Sequence, residues 1–166
     1  MKSSRLWSHW LAAFVVMLLW AGTASAADPG AKEIVLTGAV ENPLQMTAGS
    51  LRALPPTELT LDFMAGPHPE KGSFKGVLLW KLVSLAAVKD RGGKGSSLLH
   101  SIIVTGRDGY AVALAIAEID PKFEGKTVLL AYDEDGRPLR NGFRLVVPGD
   151  HEGGRNVRDV VRIEVQ

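Results

Sequence analysis

The chain has 166 residues, 46% of them hydrophobic, with 19 basic against 18 acidic and no cysteine. That length suits one ordinary domain with a real core. The near-neutral charge excludes the concentrated basic face that nucleic acid requires as a partner. The missing cysteine excludes a thiolate as nucleophile, redox pair or metal ligand, and leaves stability to packing without disulfides.

Lys2 and Arg5 open the chain, an apolar run follows from Leu11 to Gly22, and Ala24-Ser25-Ala26 offers the small residues a signal peptidase reads. The run is about a dozen residues, short of the ~20 that span a bilayer as a helix. The pattern predicts a signal peptide over 1–26 and a domain over 27–166, periplasmic or secreted after cleavage behind Ala26. The competing reading is a retained membrane anchor. Without Lys2 and Arg5 the basic count falls from 19 to 17 against 18 acidic residues, a formal charge of −1.

Residues 34–40 read as a first strand, ended by Asn42-Pro43. Thr47 predicts the N-cap of a short helix carrying Leu51 and Leu54, stopped by Pro55-Pro56. From 57 to 63 the residues alternate, with Leu59, Leu61 and Phe63 on one face and Thr60 and Asp62 on the other. A Gly- and Pro-rich loop is expected over 65–76. A helix is expected over 77–88, where Val77, Leu78, Trp80, Leu82, Val83, Leu85 and Ala86 make a broad apolar surface. After a turn over 90–97 come strands at 100–105 and 110–114, joined by Gly106-Arg107-Asp108-Gly109. Residues 127–132 read as a buried strand, Asp133-Glu134-Asp135-Gly136 as a hairpin turn, and 143–147 as the next strand. A charged, Gly-rich loop over 148–156 precedes a last strand holding Val157, Ile163 and Val165. About seven short strands and two helices make a mainly β, α+β domain.

Local patterns exclude several chemistries. His68, His100 and His151 have none of the spacings that build a metal site within one element, and no H-E-x-x-H occurs. No G-x-S-x-G elbow is present. Gly92-Gly93-Lys94-Gly95-Ser96 shares a phosphate loop's composition without its spacing, and reads as a solvent turn.

The arginines are more informative. Arg137, Arg140, Arg144, Arg155, Arg158 and Arg162 all lie within 137–166, where no lysine occurs. A guanidinium suits bidentate recognition of phosphates, carboxylates and flat heterocycles. Arg158 and Arg162 read as solvated residues on a strand face. Arg144 stands between Phe143 and Leu145 in an apolar strand, where an unpaired guanidinium is costly. Arg155 closes a loop beside Gly153-Gly154, whose backbone can approach a ligand. Either arginine serves a ligand or pairs with Asp150, Glu152 or Asp159. Tyr110 sits at a strand start, where ligand clefts often lie. Trp80 on its apolar helix reads as core more than as a stacking platform, and Phe74, in the expected loop, as a possible cover for a cleft.

Leu129-Leu130-Ala131-Tyr132-Asp133-Glu134-Asp135-Gly136-Arg137-Pro138-Leu139, followed by Asn141-Gly142-Phe143-Arg144-Leu145-Val146-Val147-Pro148-Gly149, resembles the molybdopterin-binding domain of the sulfite oxidase family. Leu36 to Pro43, Phe74-Lys75-Gly76-Val77-Leu78-Leu79 and Gly109-Tyr110 resemble further segments of that family in the same order. The resemblance implies a sulfite oxidase-like, mainly β fold with two or three helices. It implies a pterin ligand, molybdopterin-like or reduced, held by Arg144 and Arg155 as edge or phosphate donors. Tyr110 and Asn156 would hydrogen-bond it, Asp150 would accept from its amine, and Phe74 or Trp80 would cover its face. The family's histidine-glycine pair falls on Asn141-Gly142, so that contact is altered.

The family's metal-binding cysteine belongs in the stretch Leu61-Asp62-Phe63-Met64-Ala65-Gly66, and Met64 is a neutral thioether. The expectation is an exported pterin binder without molybdenum and without catalysis, a sensor or accessory protein with a membrane-bound signalling or redox partner. The alternatives are a molybdenum-cofactor oxidoreductase or its accessory subunit, and an interaction domain with a vestigial cleft.

Overall fold

The computed structural model describes residues 32–166 apart from Asp90, Arg91, Lys94 and Asn141. The expected signal peptide and the candidate contact Asn141 lie outside the described residues. In chain order the elements are β1 (Glu33–Gly38), β2 (Leu44–Thr47), α1 (Ala48–Arg52), β3 (Thr57–Ala65), β4 (His68–Leu78), α2 (Leu79–Ala86), β5 (Ser101–Gly106), β6 (Ala111–Ala115), α3 (Ile116–Ile119), β7 (Leu129–Glu134), β8 (Arg137–Pro138), β9 (Arg144–Val146) and β10 (Val160–Val165). Strands dominate and the helices are short, an α+β fold as the sequence predicts. None of the described helices is long and apolar enough to cross a membrane.

One five-stranded sheet runs β2-β1-β10-β5-β6, and a second runs β3-β4-β7-β8 with β9 paired to β7. In the first, β1 and β10 are parallel, with Val35 opposite Arg162 and Gly38 opposite Val165. Thr47 caps α1 as expected: its Oγ1 accepts from the Ser50 amide at 3.2 Å, and the Thr47 amide donates back to Ser50 Oγ at 2.9 Å.

Side-chain alternation along the second sheet sends residues to two cores. Leu130, Tyr132, Phe143, Leu145 and Val147 join the main core with Ile34, Leu36, Leu82, Ile102 and Ile163. Leu129, Ala131 and Val146 join Phe63 and Phe74 in a smaller cluster on the other face. Arg144 alternates with Leu145, so it falls on the face of the smaller cluster.

The structure corrects the expected loop over 65–76. Residues from His68 onward form β4, which pairs with all of β3 from Thr57↔Gly76 to Ala65↔His68. No apolar alternation marks β4, because Glu70, Gly72 and Phe74 share one face and Pro69, Lys71 and Ser73 the other. Cross-strand hydrogen bonds hold it instead. Phe74 is therefore a strand residue only 1% exposed, not a loop cover. The expected helix over 77–88 begins at Leu79 because Val77 and Leu78 still pair with Leu130 and Leu129. Its apolar face includes Trp80, half-buried against the main core.

The hairpin turn narrows to Asp135-Gly136, with φ of 50° and 72°. Positive φ at both residues matches the twist of a two-residue hairpin, and Asp and Gly both tolerate it.

Candidate functional site

A cleft of about 930 Å³ opens on the face of the smaller core, and a second lobe of about 530 Å³ adjoins it. Phe63, Glu70, Arg144 and Arg158 line both. The strand register builds this wall. Phe63 on β3 lies opposite Glu70 on β4, Phe74 on β4 opposite Glu134 on β7, and Arg144 on β9 opposite Ala131 on β7.

Arg144 is 5% exposed. Its guanidinium carbon lies 5.1 Å from the Phe74 ring centre and 5.5 Å from that of Phe63. Nη1 donates to Glu134 Oε1 at 3.0 Å and Nη2 to Glu70 Oε2 at 3.3 Å. Its buried Nε has no hydrogen-bond partner among the described residues. A donor left unsatisfied in a water-poor site costs about 1–3 kcal/mol.

Arg158 is solvated as expected, its side chain 66% exposed, but it lies outside the strand. It precedes β10, and its Nη2 donates to both oxygens of Glu70, at 2.8 and 3.1 Å. Burial pushes the Glu70 carboxyl up, but Arg158 and Arg144 outweigh burial and hold it below the ordinary carboxylate value.

The other predicted residues gather around the 148–156 loop. Arg155 donates from Nε and Nη2 to Asp150 at 2.8 and 2.6 Å, and from Nη1 to Glu118 at 2.9 Å. Arg155 and Asp150 are thus each other's partners, and neither lines the two lobes. The Asp150 carboxyl is held low chiefly by that guanidinium, and the Arg155 guanidinium is pushed up in return. Asn156 lines the smaller lobe, with Oδ1 accepting from the Val147 amide at 2.7 Å. Tyr110 is 52% exposed and donates from Oη to the Gly154 carbonyl at 2.8 Å, bracing the loop from outside the cleft. Trp80 lines neither lobe.

Sequence reasoning missed Glu70, Glu134 and Phe63. Glu70 and Phe63 become visible only once Gly66-Pro67 is read as the turn of a hairpin. A Gly-Pro pair is a turn signal, and counting outward from it sets Phe63 opposite Glu70 and Leu59 opposite Phe74.

The family model for the oxidoreductase molybdopterin binding domain matches residues 21–166. The chain belongs to this family. The segments that carried the sequence resemblance form β7, β8 and β9 of this molybdopterin-binding-type domain, the strands that hold Glu134 and Arg144 at the cleft. No curated protein matches the chain. Among solved structures, the sulfane dehydrogenase SoxCD from Paracoccus pantotrophus superposes with a TM-score of 0.65 at 23% identity, over 81% of this chain and 38% of that one. The likeness is one of fold, and the domain spans well under half of that structure's length.

The cleft's donor set fits the organic part of such a cofactor. Two phenyl faces, two carboxylates and a buried guanidinium with a spare N–H match a flat ring with a polar edge. The chain supplies no thiolate for a metal, and the described residues contain no cluster of three His, Asp or Glu side chains. Met64 reaches the smaller lobe, 36% exposed, as a thioether. The two ring nitrogens of His100 face the carbonyls of Gln166 and Lys89, at 2.9 and 3.0 Å, away from the cleft lining.

Proposed function

We propose that this domain is an exported pterin-binding protein, a sensor or accessory protein that holds the ring without metal catalysis. The observation that carries the reading is Arg144: a buried guanidinium over two phenyl rings, at a cleft wall, whose Nε–H and one N–H on each Nη are not spent on a partner among the described residues. Arg144 would donate to a ring carbonyl or nitrogen, Glu134 and Glu70 would accept from amino and ring N–H groups, and Phe63 and Phe74 would shield the site from water. A bound pterin supplies a ring whose oxidation state changes its hydrogen-bonding edge. A periplasmic site and a membrane-bound signalling or redox partner complete the proposal, motivated by the apolar N-terminal run with its small-residue ending.

The test is to purify the full chain, denature it, and assay the released material for pterin fluorescence and for metals. Near-stoichiometric pterin without molybdenum is expected. Molybdenum at near-stoichiometric amounts would overturn the reading in favour of an oxidoreductase whose metal has no protein sulfur ligand. Neither species, with no shift in melting temperature on adding reduced pterins, would leave an interaction domain with a vestigial cleft.

A further inference from the structure

Glu70 stands where the two lobes of the cleft meet, and it lines both. Its place opposite Phe63 in the β3–β4 hairpin sets its side chain beside that ring. From there its two oxygens receive three hydrogen bonds from two guanidinium groups, at 2.8 and 3.1 Å from Arg158 and 3.3 Å from Arg144. The two arginines come from different parts of the chain, one from β9 and one from the segment before β10. Converging guanidinium groups are the arrangement that recognises a phosphate or carboxylate group. Here the chain's own carboxylate fills that position.

Glu134 does not share this role. Among the described residues it accepts from Arg144 alone, at 3.0 Å, and so orients the buried guanidinium. A different position for an anion lies in the larger lobe, where Lys71, Arg137 and Arg140 are exposed and make no ion pair among the described residues. An anion seated there would be indifferent to Glu70.

We propose that Glu70 is a specificity-determining residue: an internal carboxylate that withholds the Arg144–Arg158 pair from anionic ligands and biases the cleft toward pterins lacking an anionic group at that position. This rests on the pterin reading for the identity of the ligand, though not for the existence of the withheld anion position. Competition is the physical basis. A ligand anion must displace a carboxylate already present at very high effective concentration, whereas a neutral group need only fit beside it.

The experiment compares dihydroneopterin with its monophosphate, by titration into the full-length wild type and Glu70→Gln. Inorganic phosphate is added separately in a thermal-shift assay. Gln keeps the side chain's size and one acceptor oxygen, so the hairpin retains its contacts. The monophosphate-to-parent affinity ratio is expected to rise about tenfold in Glu70→Gln, equivalent to about 1.4 kcal/mol. Inorganic phosphate is expected to raise the melting temperature of Glu70→Gln and not of the wild type. Adding Arg158→Gln to Glu70→Gln should abolish both gains.

An unchanged ratio, or a gain that survives Arg158→Gln, would overturn the proposal and move the anion position to Lys71, Arg137 and Arg140. If neither pterin binds either protein while phosphate still stabilises only Glu70→Gln, the withheld position stands and the pterin reading fails.

Discussion

A Cβ on Gly153 would stand 2.6 Å from Cδ2 and 2.8 Å from Cε2 of Phe63, so the 148–156 loop lies directly against the ring that lines both lobes of the cleft. The Met64 carbonyl oxygen, 3.2 Å away, blocks the other direction. Gly153→Ala must therefore tilt Phe63 or lift the loop. The expected cost is about 1–3 kcal/mol, seen as a lower denaturation midpoint, together with a severalfold loss of pterin affinity. Gly154→Ala is the control, because its Cβ would meet only Tyr110 Oη at 3.9 Å. Equal effects would mean that the loop does not shape the cleft.

Arg144→Ala should be the most damaging single change to ligand binding. It removes the donor over the two rings and leaves Glu134 without its guanidinium partner. Both carboxylates facing Arg144 are about a third exposed, 35% and 36% by side chain, so water softens the penalty of breaking the pairs. A stability loss of about 1–3 kcal/mol is expected, with pterin affinity falling about tenfold or more. Arg144→Lys keeps the charge and loses the planar fork, and should recover only part of the affinity. Arg162→Ala, exposed on β10, should change neither quantity. Calorimetric titration of the three variants decides, and a similar affinity loss in Arg162→Ala would show that the ligand binds elsewhere.

Arg144 is legible in the sequence because a charged residue between Phe143 and Leu145 breaks an apolar strand and demands a reason. Its partners are not legible. Glu70 and Glu134 lie 74 and 10 residues from it, and only the pairing of β4 and β9 on β7 brings them to one face. The strand β4 itself escapes notice because its residues alternate between Glu, Gly or Phe and Pro, Lys or Ser, a pattern without an apolar period. Arg158 reads as solvated and is exposed, but its partner is not legible, because the carboxylate that holds it sits on a distant hairpin. What periodicity reveals is the main core, whose strands alternate cleanly. The cleft faces the other side of the second sheet, where register decides.

The Arg155 network gives the loop a pH-dependent tether. The Asp150 carboxyl is depressed by its bonds to Arg155, and burial opposes this only in part. Burial raises the Glu118 carboxyl, but the Ala115 amide and Arg155 outweigh burial and depress it. A depressed carboxyl stabilises the fold above its unfolded value, 3.8 for Asp150 and 4.5 for Glu118, and that stabilisation is lost as pH falls through the lower folded values. Arg155→Ala is expected to lose about 2 kcal/mol at neutral pH, given charge-assisted bonds to partly shielded partners. The gap between wild type and variant should stay constant down to about pH 5 and close below about pH 4. Denaturant unfolding across that range measures it. A gap that widens in acid would mean that Asp150 and Glu118 are not the groups held by Arg155.

Gly76 marks the closest approach of the two strands that carry the cleft. A Cβ there would lie 2.1 Å from the Leu130 carbonyl oxygen and 2.5 Å from the Ala131 Cα. Both obstacles are backbone, and the β4–β7 register shifts between Lys75 and Gly76 at this point. No side-chain rotation can relieve the clash, so Gly76→Ala must pry β4 from β7. That separation parts Glu70 and Phe74, on β4, from Glu134 on β7 and from Arg144, which hangs on β7 through β9. A loss of about 4 kcal/mol or more is expected, seen as insoluble or largely unfolded protein. Gly72→Ala is the informative contrast: the nearest atoms to its Cβ would be the end of the Phe74 ring, at 3.1 and 3.2 Å, and the Glu134 carboxylate at 3.5 Å. The ring can shift by a few tenths of an ångström, so the fold should survive at a cost of about 1 kcal/mol while pterin affinity drops. If Gly76→Ala instead folds with near wild-type stability, the two strands are not held at this spacing and the wall of the cleft is not built by their register.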